Sequence, residues 1–329
     1  MRQKAFTWSN KGRNLAAVTT KNRWIISPGV DLCLYLFFPV VLAAAAFGAE
    51  AAGWLGIFLV VVAITANGHH LPTFLRIYGD PVLLRRFPGR FLVIPVLVVG
   101  GFAYCTYYNL AAMKVLLLFW GHWHGFIQLY GFTRIYDAKQ GSVHPTTANL
   151  DWLVIFLGFL GGVLFSELRM LEILDGVASV GIPLIPLVSV SFLQSLWFVV
   201  VGGLAVLYGF QIWRCRRQGR PQSPIKWLFI ASSIGFWWFC NLYIANIILA
   251  MALIEIYHDL QYIGFVWEYN THYVQKKAQD LYHWQRQLFR RHWAMLGVYG
   301  LVVIGYGFFG EVTKWLRSPA VTLGFEILI

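Results

Sequence analysis

The chain has 329 residues, of which 58% are hydrophobic and only 12% charged, and its mean hydropathy is +0.61. Soluble domains carry about 25% charged residues, so this composition excludes a soluble globular protein and indicates a polytopic membrane protein. The four cysteines, Cys33, Cys105, Cys215 and Cys240, are scattered without a C-x-x-C pair, which argues against a disulfide framework or a thiolate metal site.

The chain opens with a basic segment, 1–28, that contains six lysines and arginines and no acidic residue. Because no short apolar run with a small-residue cleavage site follows it, we expect no cleaved signal peptide. We therefore predict that 1–28 is a cytoplasmic segment and that 29–329 forms a single transmembrane domain.

Apolar stretches of about 20 residues, the length that crosses a bilayer, recur along the rest of the chain. We predict an all-α, polytopic integral membrane helical bundle with about nine transmembrane helices. The predicted spans are 29–47, 54–77, 91–109, 111–134, 152–166, 193–213, 227–241, 244–270 and 293–309. Between the fifth and sixth spans lies a linker, 167–191, whose first part is amphipathic.

The distribution of lysine and arginine predicts how these spans are oriented in the membrane. If the chain crosses nine times, 22 of the 26 lysines and arginines lie in segments on the same side. The other side receives only Lys114, Arg169, Lys314 and Arg317. The positive-inside rule then predicts a cytoplasmic N-terminus. This distribution explains most of the net charge of +12, so we expect contact with membrane lipids and no nucleic-acid partner. The basic, aromatic stretch near 274–292 is predicted to be an interfacial cytoplasmic helix.

Histidines are concentrated on three of the predicted spans, the second, the fourth and the eighth. Measured from the cytoplasmic ends of these spans, their offsets of six to twelve residues correspond to roughly 10–18 Å at 1.5 Å per residue. Ionisable groups at such depth are costly and by default indicate function. The shared depth predicts that these histidines converge in the cytoplasmic half of the bilayer.

The candidate metal ligands follow from helix periodicity. His124 shares a face with Gln128, whereas His122 points about 200° away from it. The adjacent His69 and His70 can both reach one site, because Pro72 distorts the helix near them.

On the eighth span, Glu255 and His258 have the Glu-x-x-His spacing of carboxylate-bridged metal sites, and Asp259 lies beside them. The predicted ligands are His69, His70, His122, His124, His258, Glu255 and His272. Asp259 and Gln128 are predicted to orient those ligands, and Tyr262 and Arg134 to act on the substrate or its head group.

Imidazole and carboxylate without thiolate suit iron, zinc, copper or manganese. We expect mononuclear or dinuclear iron in a membrane metalloenzyme, an oxidoreductase that oxidises a lipid-soluble substrate (acyl chain, isoprenoid, carotenoid or quinone) with dioxygen. Under this hypothesis we expect an electron donor or a partner in a larger complex. We also expect the protein to lie in the bacterial inner membrane. Two alternatives stay open: a haem-binding electron-transfer protein and a proton-coupled transporter.

Overall fold

A computed structural model describes residues 23–108, 112–181, 189–277 and 281–315. Within these ranges the regular structure is entirely helical, which confirms the predicted all-α class. The helices are α1 (Pro28–Asp31), α2 (Phe38–Ala52), α3 (Leu55–Gly68), α4 (His70–Tyr78), α5 (Pro81–Arg86), α6 (Ile94–Tyr107), α7 (Ala112–Gln140), α8 (Pro145–Leu164), α9 (Glu167–Ser179), α10 (Val190–Arg217), α11 (Pro224–Leu242), α12 (Ile247–Lys277), α13 (His283–Leu288) and α14 (Trp293–Trp315).

Eight segments of the described chain are long and apolar enough to cross a membrane, which supports an integral membrane protein. They are Pro28–Ala49, Leu55–Tyr78, Gly89–Tyr107, Pro145–Leu164, Val190–Arg217, Pro224–Leu242, Ile247–Lys276 and Trp293–Val312. The predicted fourth span falls on α7, which is more polar and is not among the eight. With its 29 residues α7 packs beside α8 and α11, so it lies in the same layer of the bundle.

Prolines explain where the long helices depart from α geometry. A π-helical segment, Leu32–Phe37, comes directly before Pro39, and another, Gly89–Val93, comes before Pro95. Proline has no N–H, and its ring clashes with the carbonyl four residues earlier, so a wider turn relieves the clash.

Four clusters of buried apolar residues in the described chain hold the bundle together, and two of them are much larger than the others. One joins α2, α11 and α12 around Leu253 and Cys240. The other joins α7, α8 and α11, where Phe126, Ile155 and Phe229 are buried. Because α12 lies against α2 and α11 while also packing on α3 and α4, it is the element against which the histidine-bearing helices are arranged.

Close approach of backbones fixes α3 against α14. A Cβ added to Gly68 would lie 2.9 Å from the Val303 carbonyl oxygen, and one added to Gly307 would collide with the Ile64 carbonyl. Small residues permit this kind of packing between membrane helices. The contact holds the end of α3, and therefore the residues that follow it, in a defined position.

The segment near 274–292, predicted to be an interfacial cytoplasmic helix, contains parts of two helices in the described residues. The long helix α12 continues to Lys277, because Val274 and Gln275 contain no helix-breaking feature. After the undescribed residues 278–280, only the six-residue α13 forms, and Tyr282 before it has an extended backbone. The basic segment 1–28 lies almost wholly outside the described residues.

Candidate metal centre

An interruption between α3 and α4 positions the first two histidines. Pro72 has no N–H to donate to Gly68, and the backbone at His69 departs from α geometry with φ −68° and ψ −16°. His69 and His70 consequently turn toward the same region, with ring centroids 4.0 Å apart and planes 35° apart. The predicted effect of Pro72 on this pair is present in the structure.

The third and fourth histidines come from α7 and α12. The His124 and His258 rings lie 4.8 Å apart, and the His69 ring lies 6.2 Å from the former and 5.5 Å from the latter. Gln128, one turn after His124, donates its amide N–H to the His258 carbonyl over 2.9 Å. This hydrogen bond ties α7 to α12 at the level where their histidines meet.

His69, His124 and His258 each present one ring nitrogen so that all three atoms lie within 4.8 Å of one another. We call these three residues, together with His70, the histidine cluster. The side chains come from three helices far apart in sequence and agree in depth, as the offsets along the predicted spans implied. A set of three convergent imidazole nitrogens is a possible metal-ligand group.

Asp259 lies directly behind His69 and is completely buried. Its Oδ1 is 2.8 Å from His69 Nδ1, within ion-pair distance, although the two atoms are not aligned as a hydrogen bond. A carboxylate at Nδ1 leaves Nε2 of the same ring available to a ligand, which is the usual arrangement behind a metal-bound histidine.

Several buried polar atoms of this region make no hydrogen bond. His258 Nε2, His70 Nδ1 and both carboxylate oxygens of Asp259 make no hydrogen bond with a described protein atom, although Asp259 Oδ1 lies within ion-pair distance of His69. Such atoms are rare in folded proteins, because each one left unsatisfied costs about 1–3 kcal/mol. A bound cation would satisfy imidazole nitrogens directly and compensate the carboxylate charge, so the donor set fits a metal ion.

A row of polar contacts continues from the cluster along α4 and α12 toward Asp80, and we call it the polar ladder. Thr73 and Tyr262 share a hydrogen bond of 2.6 Å, and the Tyr262 ring lies 6.1 Å from that of His69. Further along, the Arg76 guanidinium lies over the Tyr273 ring at 4.3 Å.

At the end of the polar ladder, Asp80 accepts hydrogen bonds from Arg76 at 2.5 Å and from Tyr273 at 2.9 Å. Burial of Asp80 opposes its ionisation, but the bonds from Arg76, the Leu83 N–H and Tyr273 outweigh burial and lower the pKa of the carboxyl group.

Two predicted ligands lie away from the histidine cluster. The ring of His122 packs edge-on against Trp237 at 5.2 Å, on the opposite side of α7 from His124. His272 Nε2 lies 2.9 Å from Glu268 Oε1, and its side chain is 45% exposed. Since His272 is fourteen residues beyond His258 on one helix, about 21 Å separates their backbones.

Glu255, one turn before Asp259 on α12, interacts electrostatically with Asp259 and His69. It therefore lies at the edge of the cluster, where the sequence placed it, and its role as a ligand stays a prediction.

Arg134 belongs to a different polar group, the charge cluster of Arg134, Asp137, Asp151 and Lys226. It contacts the carboxylates of Asp137, at 2.7 Å, and Asp151. Its position ten residues after His124 on α7 corresponds to about 15 Å. The predicted action of Arg134 on a substrate head group is untested, but its side chain is engaged with these two carboxylates.

Sequence reasoning missed Asp151 and Lys226, both fully buried. Each lies near the start of an apolar stretch, where a lone charge resembles an ordinary interfacial residue. Only the packing of α8 against α11 brings Lys226 Nζ to 3.2 Å from the Asp151 carboxylate. No sequence signal that we recognise reveals this pairing.

Comparisons with protein-family models, with characterised proteins and with solved structures find no match for this chain. Function is therefore inferred from the chemistry of the histidine cluster rather than from relatives. A fold of this general kind is in any case compatible with many activities.

Proposed function

We propose that this protein is a membrane metalloenzyme in which His69, His124 and His258 hold an iron ion. The reaction we infer is the oxidation of a lipid-soluble molecule by dioxygen, carried out in the cytoplasmic membrane of a bacterium. The observation that carries the proposal is the convergence of three imidazole nitrogens within 4.8 Å inside an apolar helical bundle.

The spacing of the nitrogens supports a single shared ion. Nitrogens bound at 2.0–2.1 Å to one ion lie roughly 3–4 Å from each other, so ring rotations of about an ångström bring the three into range. His70 is the nearest further candidate, because its ring is stacked on that of His69 and its Nδ1 has no hydrogen bond. Asp259 would hold His69 in the tautomer that offers Nε2.

The choice of iron follows from the donor types. Several imidazoles with a nearby carboxylate and no thiolate are typical of non-haem iron sites that keep positions open for dioxygen and substrate. When bound, iron would supply the one-electron chemistry that the reaction of triplet dioxygen with a closed-shell organic substrate requires. The protein residues contribute binding, orientation and exclusion of water, and Tyr262 contributes a hydroxyl 2.6 Å from Thr73 at the edge of the cluster.

Elemental analysis of detergent-purified protein tests the metal. We expect about one iron per chain. His124→Ala and His258→Ala should lose the metal, whereas His283→Ala should retain it, because His283 is exposed on α13 away from the cluster. If another metal is present in stoichiometric amount, the identity of the ion changes. If the protein binds no metal after reconstitution with iron, zinc, copper or manganese, the proposal is overturned.

An absorption spectrum of the same sample separates iron bound by side chains from haem. Axial ligation of haem needs two imidazoles on opposite sides of an iron with the porphyrin between them. Three imidazoles that approach one point favour a bare ion, so we expect no Soret band. A Soret band that disappears in His124→Ala would instead establish the electron-transfer alternative.

A proton-coupled transporter is the second candidate, and the polar ladder favours it. Hydroxyl and charged groups on α4 and α12 extend from His69 to Asp80, which is the kind of intramembrane polar path that proton relays use. Protein reconstituted into liposomes with an internal pH dye tests it. Proton movement that stops in Thr73→Val but continues in a metal-depleted sample would favour transport over oxidation.

A further inference from the structure

A groove lies between α10 and α11, and α8, on which both helices pack, forms its floor. Its volume is about 450 Å³, within the range of about 300–1,000 Å³ that ligand pockets occupy. The strip that α10 contributes runs from Trp197 to Ile212, so the groove is about 22 Å long at 1.5 Å per residue. Because side chains of three helices line it, the groove is a walled cavity rather than one exposed helix face.

Aromatic pairs join the two walls of the groove. Tyr208 of α10 meets Trp227 of α11 with ring centroids 4.4 Å apart, and further along the groove Trp197 meets Trp238 at 5.7 Å. The indole N–H groups of the second pair donate to backbone carbonyls of α8, over 2.9 Å from Trp197 and 2.7 Å from Trp238. These bonds hold the rings in place, so the shape of the groove is set by the protein itself.

The lining of the groove is apolar and offers a ligand few hydrogen bonds. The Tyr208 hydroxyl already donates to Asp151 and lies 3.3 Å from Gln222 Oε1. The N–H groups of Trp197 and Trp238 are occupied as well. A polar group placed here would lose its hydrogen bonds to water without replacement, which is costly. The part of a ligand that lies in the groove is therefore hydrocarbon.

Arginines lie at the end of the groove next to Ile212. Arg216 follows Ile212 by one helical turn and shares its face of α10, and Arg220 lies in the connection 218–223 that leads to α11. Both arginines are exposed, and neither forms an ion pair within the part of the chain that the structure describes. The stretch 176–254 contains no acidic residue, so the positive charge at this end is not compensated locally.

A hydrocarbon chain that carries an anionic head group matches both features of the groove. Guanidinium groups bind phosphate through paired N–H donors, and basic pockets between membrane helices bind phospholipid head groups. A zwitterionic head group also carries an ammonium, for which 176–254 provides no carboxylate. The charges at this end therefore favour a phospholipid with a net negative charge.

We propose that an anionic phospholipid binds in this groove, with one acyl chain between Trp197 and Ile212 and its phosphate at Arg216 and Arg220. The lipid fills the space between α10 and α11 and joins the two helices. The site is independent of the metal centre, because none of the three helices that line the groove carries a residue of the histidine cluster.

Native mass spectrometry of the full chain, purified in detergent and delipidated, tests this site. Phosphatidylglycerol and phosphatidylethanolamine with the same palmitoyl and oleoyl chains are titrated in competition. We expect one phosphatidylglycerol per chain to bind about tenfold more tightly than phosphatidylethanolamine, because its net charge meets two arginines. Equal retention of the two lipids by the unaltered protein would overturn the proposal, and this outcome needs no variant.

An arginine variant tests the head-group end of the groove. Arg216→Gln should reduce the preference for phosphatidylglycerol about fivefold. The matched control is Arg214→Gln, which removes the same charge from an exposed position two residues earlier, about 200° around α10. We expect this control to keep the preference. An equal loss in both variants would show a general attraction to the basic end of α10 and would contradict a defined site.

Filling the groove tests the acyl-chain end. Gly209 lines the groove and Gly203 lies about 120° away on α10; both are exposed, and a Cβ added to either meets no protein atom within 4 Å. Gly209→Phe should weaken the binding of both lipids about tenfold, whereas Gly203→Phe should leave it unchanged. Unchanged binding in Gly209→Phe would refute the acyl-chain position. A lipid-free dimer that Gly209→Phe dissociates would identify the groove as a protein interface and overturn the proposal.

Discussion

The histidine cluster and the charge cluster are both polar groups inside an apolar bundle, but they differ in how their atoms are satisfied. Lys226 Nζ uses all three of its protons, on Asp137 at 2.9 Å, Asp151 at 3.2 Å and Gln222 at 3.1 Å. With Arg134, the charge cluster contains two cations and two carboxylates, so its charges balance internally, and of its buried side-chain polar atoms only Arg134 Nε makes no hydrogen bond with a described residue.

The histidine cluster, with Asp259 behind it, lacks this balance. Both Asp259 oxygens, His70 Nδ1 and His258 Nε2 make no hydrogen bond within the described protein. A buried polar network that satisfies itself stabilises a fold, whereas one with unsatisfied atoms is completed by something else. The comparison therefore fits a structural role for the charge cluster and supports the ligand-binding role that we propose for the histidine cluster.

The largest effect is expected where the balanced group is broken. Lys226→Met leaves Asp137 and Asp151 buried opposite Arg134 alone, and an uncompensated buried charge costs about 3–5 kcal/mol. We expect a large fall in the thermal midpoint of the purified protein, measured by intrinsic fluorescence, with no specific loss of metal. The control is Lys276→Met, which removes an exposed charge; an equal fall in that variant would refute the structural role.

A matched pair of carboxylates sharpens the comparison, because Asp151 and Asp259 are both fully buried. Asp151→Asn breaks contacts with Lys226 and Arg134 and should destabilise the protein by about 3–5 kcal/mol with metal affinity unchanged. Asp259→Asn alters only the contact with His69 Nδ1, so it should destabilise the protein less, by about 1.5–3 kcal/mol, but lower metal affinity about 10–100-fold. Denaturation curves measure the loss of stability in both variants, and metal titrations measure the change in affinity. If both variants lose the same stability and the same affinity, the two clusters do not differ in role.

A smaller effect is expected at the edge of the histidine cluster. Tyr262→Phe removes the hydrogen bond to Thr73, whose net contribution is about 0.5–1.5 kcal/mol. We expect this modest loss of stability and full retention of metal. Tyr243→Phe, at a tyrosine that is 72% exposed, provides the baseline. Loss of metal in Tyr262→Phe would show that Tyr262 is a ligand rather than a neighbour.

The smallest effect concerns Asp80, at the end of the polar ladder away from the histidine cluster. Because the folded protein lowers the pKa of Asp80 below its ordinary 3.8, ionised Asp80 stabilises the fold above that pH, and the contribution is lost as the pH falls further. We expect Asp80→Asn to be less stable than the unaltered protein at neutral pH and to lose less stability on acidification. Parallel loss of stability by both proteins in acid would contradict the contribution of Asp80.

Much of the fold follows from sequence, because a membrane helix is a long apolar run whose limits are set by local composition. The end of α8 at Leu164 and the start of α14 at Trp293 agree closely with the predicted spans. The start of α8 at Pro145 does not, because the polar first turns of the helix, including Asp151, lie within the bundle. Burial of a charge there depends on Lys226, which no local pattern reveals.

The part of the site that depends on the position of each histidine along its predicted span could be predicted from the sequence. His69, His124 and His258 lie six to twelve residues from corresponding ends of the predicted spans, and the structure brings them together. Helix periodicity already placed His122 about 200° away from His124, and the structure packs it against Trp237. For Arg134 the sequence contains no such indication, because its contact with Asp151 depends on the packing of α8. Pro72 was a usable signal, since its effect on the backbone at His69 is local.

X-ray absorption at the edge of the bound metal tests the central claim most directly, because it reports the ligands of the ion itself. Imidazole rings give a distinctive multiple-scattering pattern, and their nitrogens lie at about 2.0–2.2 Å from the ion. We predict a spectrum fitted by three or more imidazoles in the unaltered protein, and the loss of this signal in His124→Ala and His258→Ala. A metal surrounded by oxygen or sulfur alone, or a spectrum unchanged in both variants, would contradict the account.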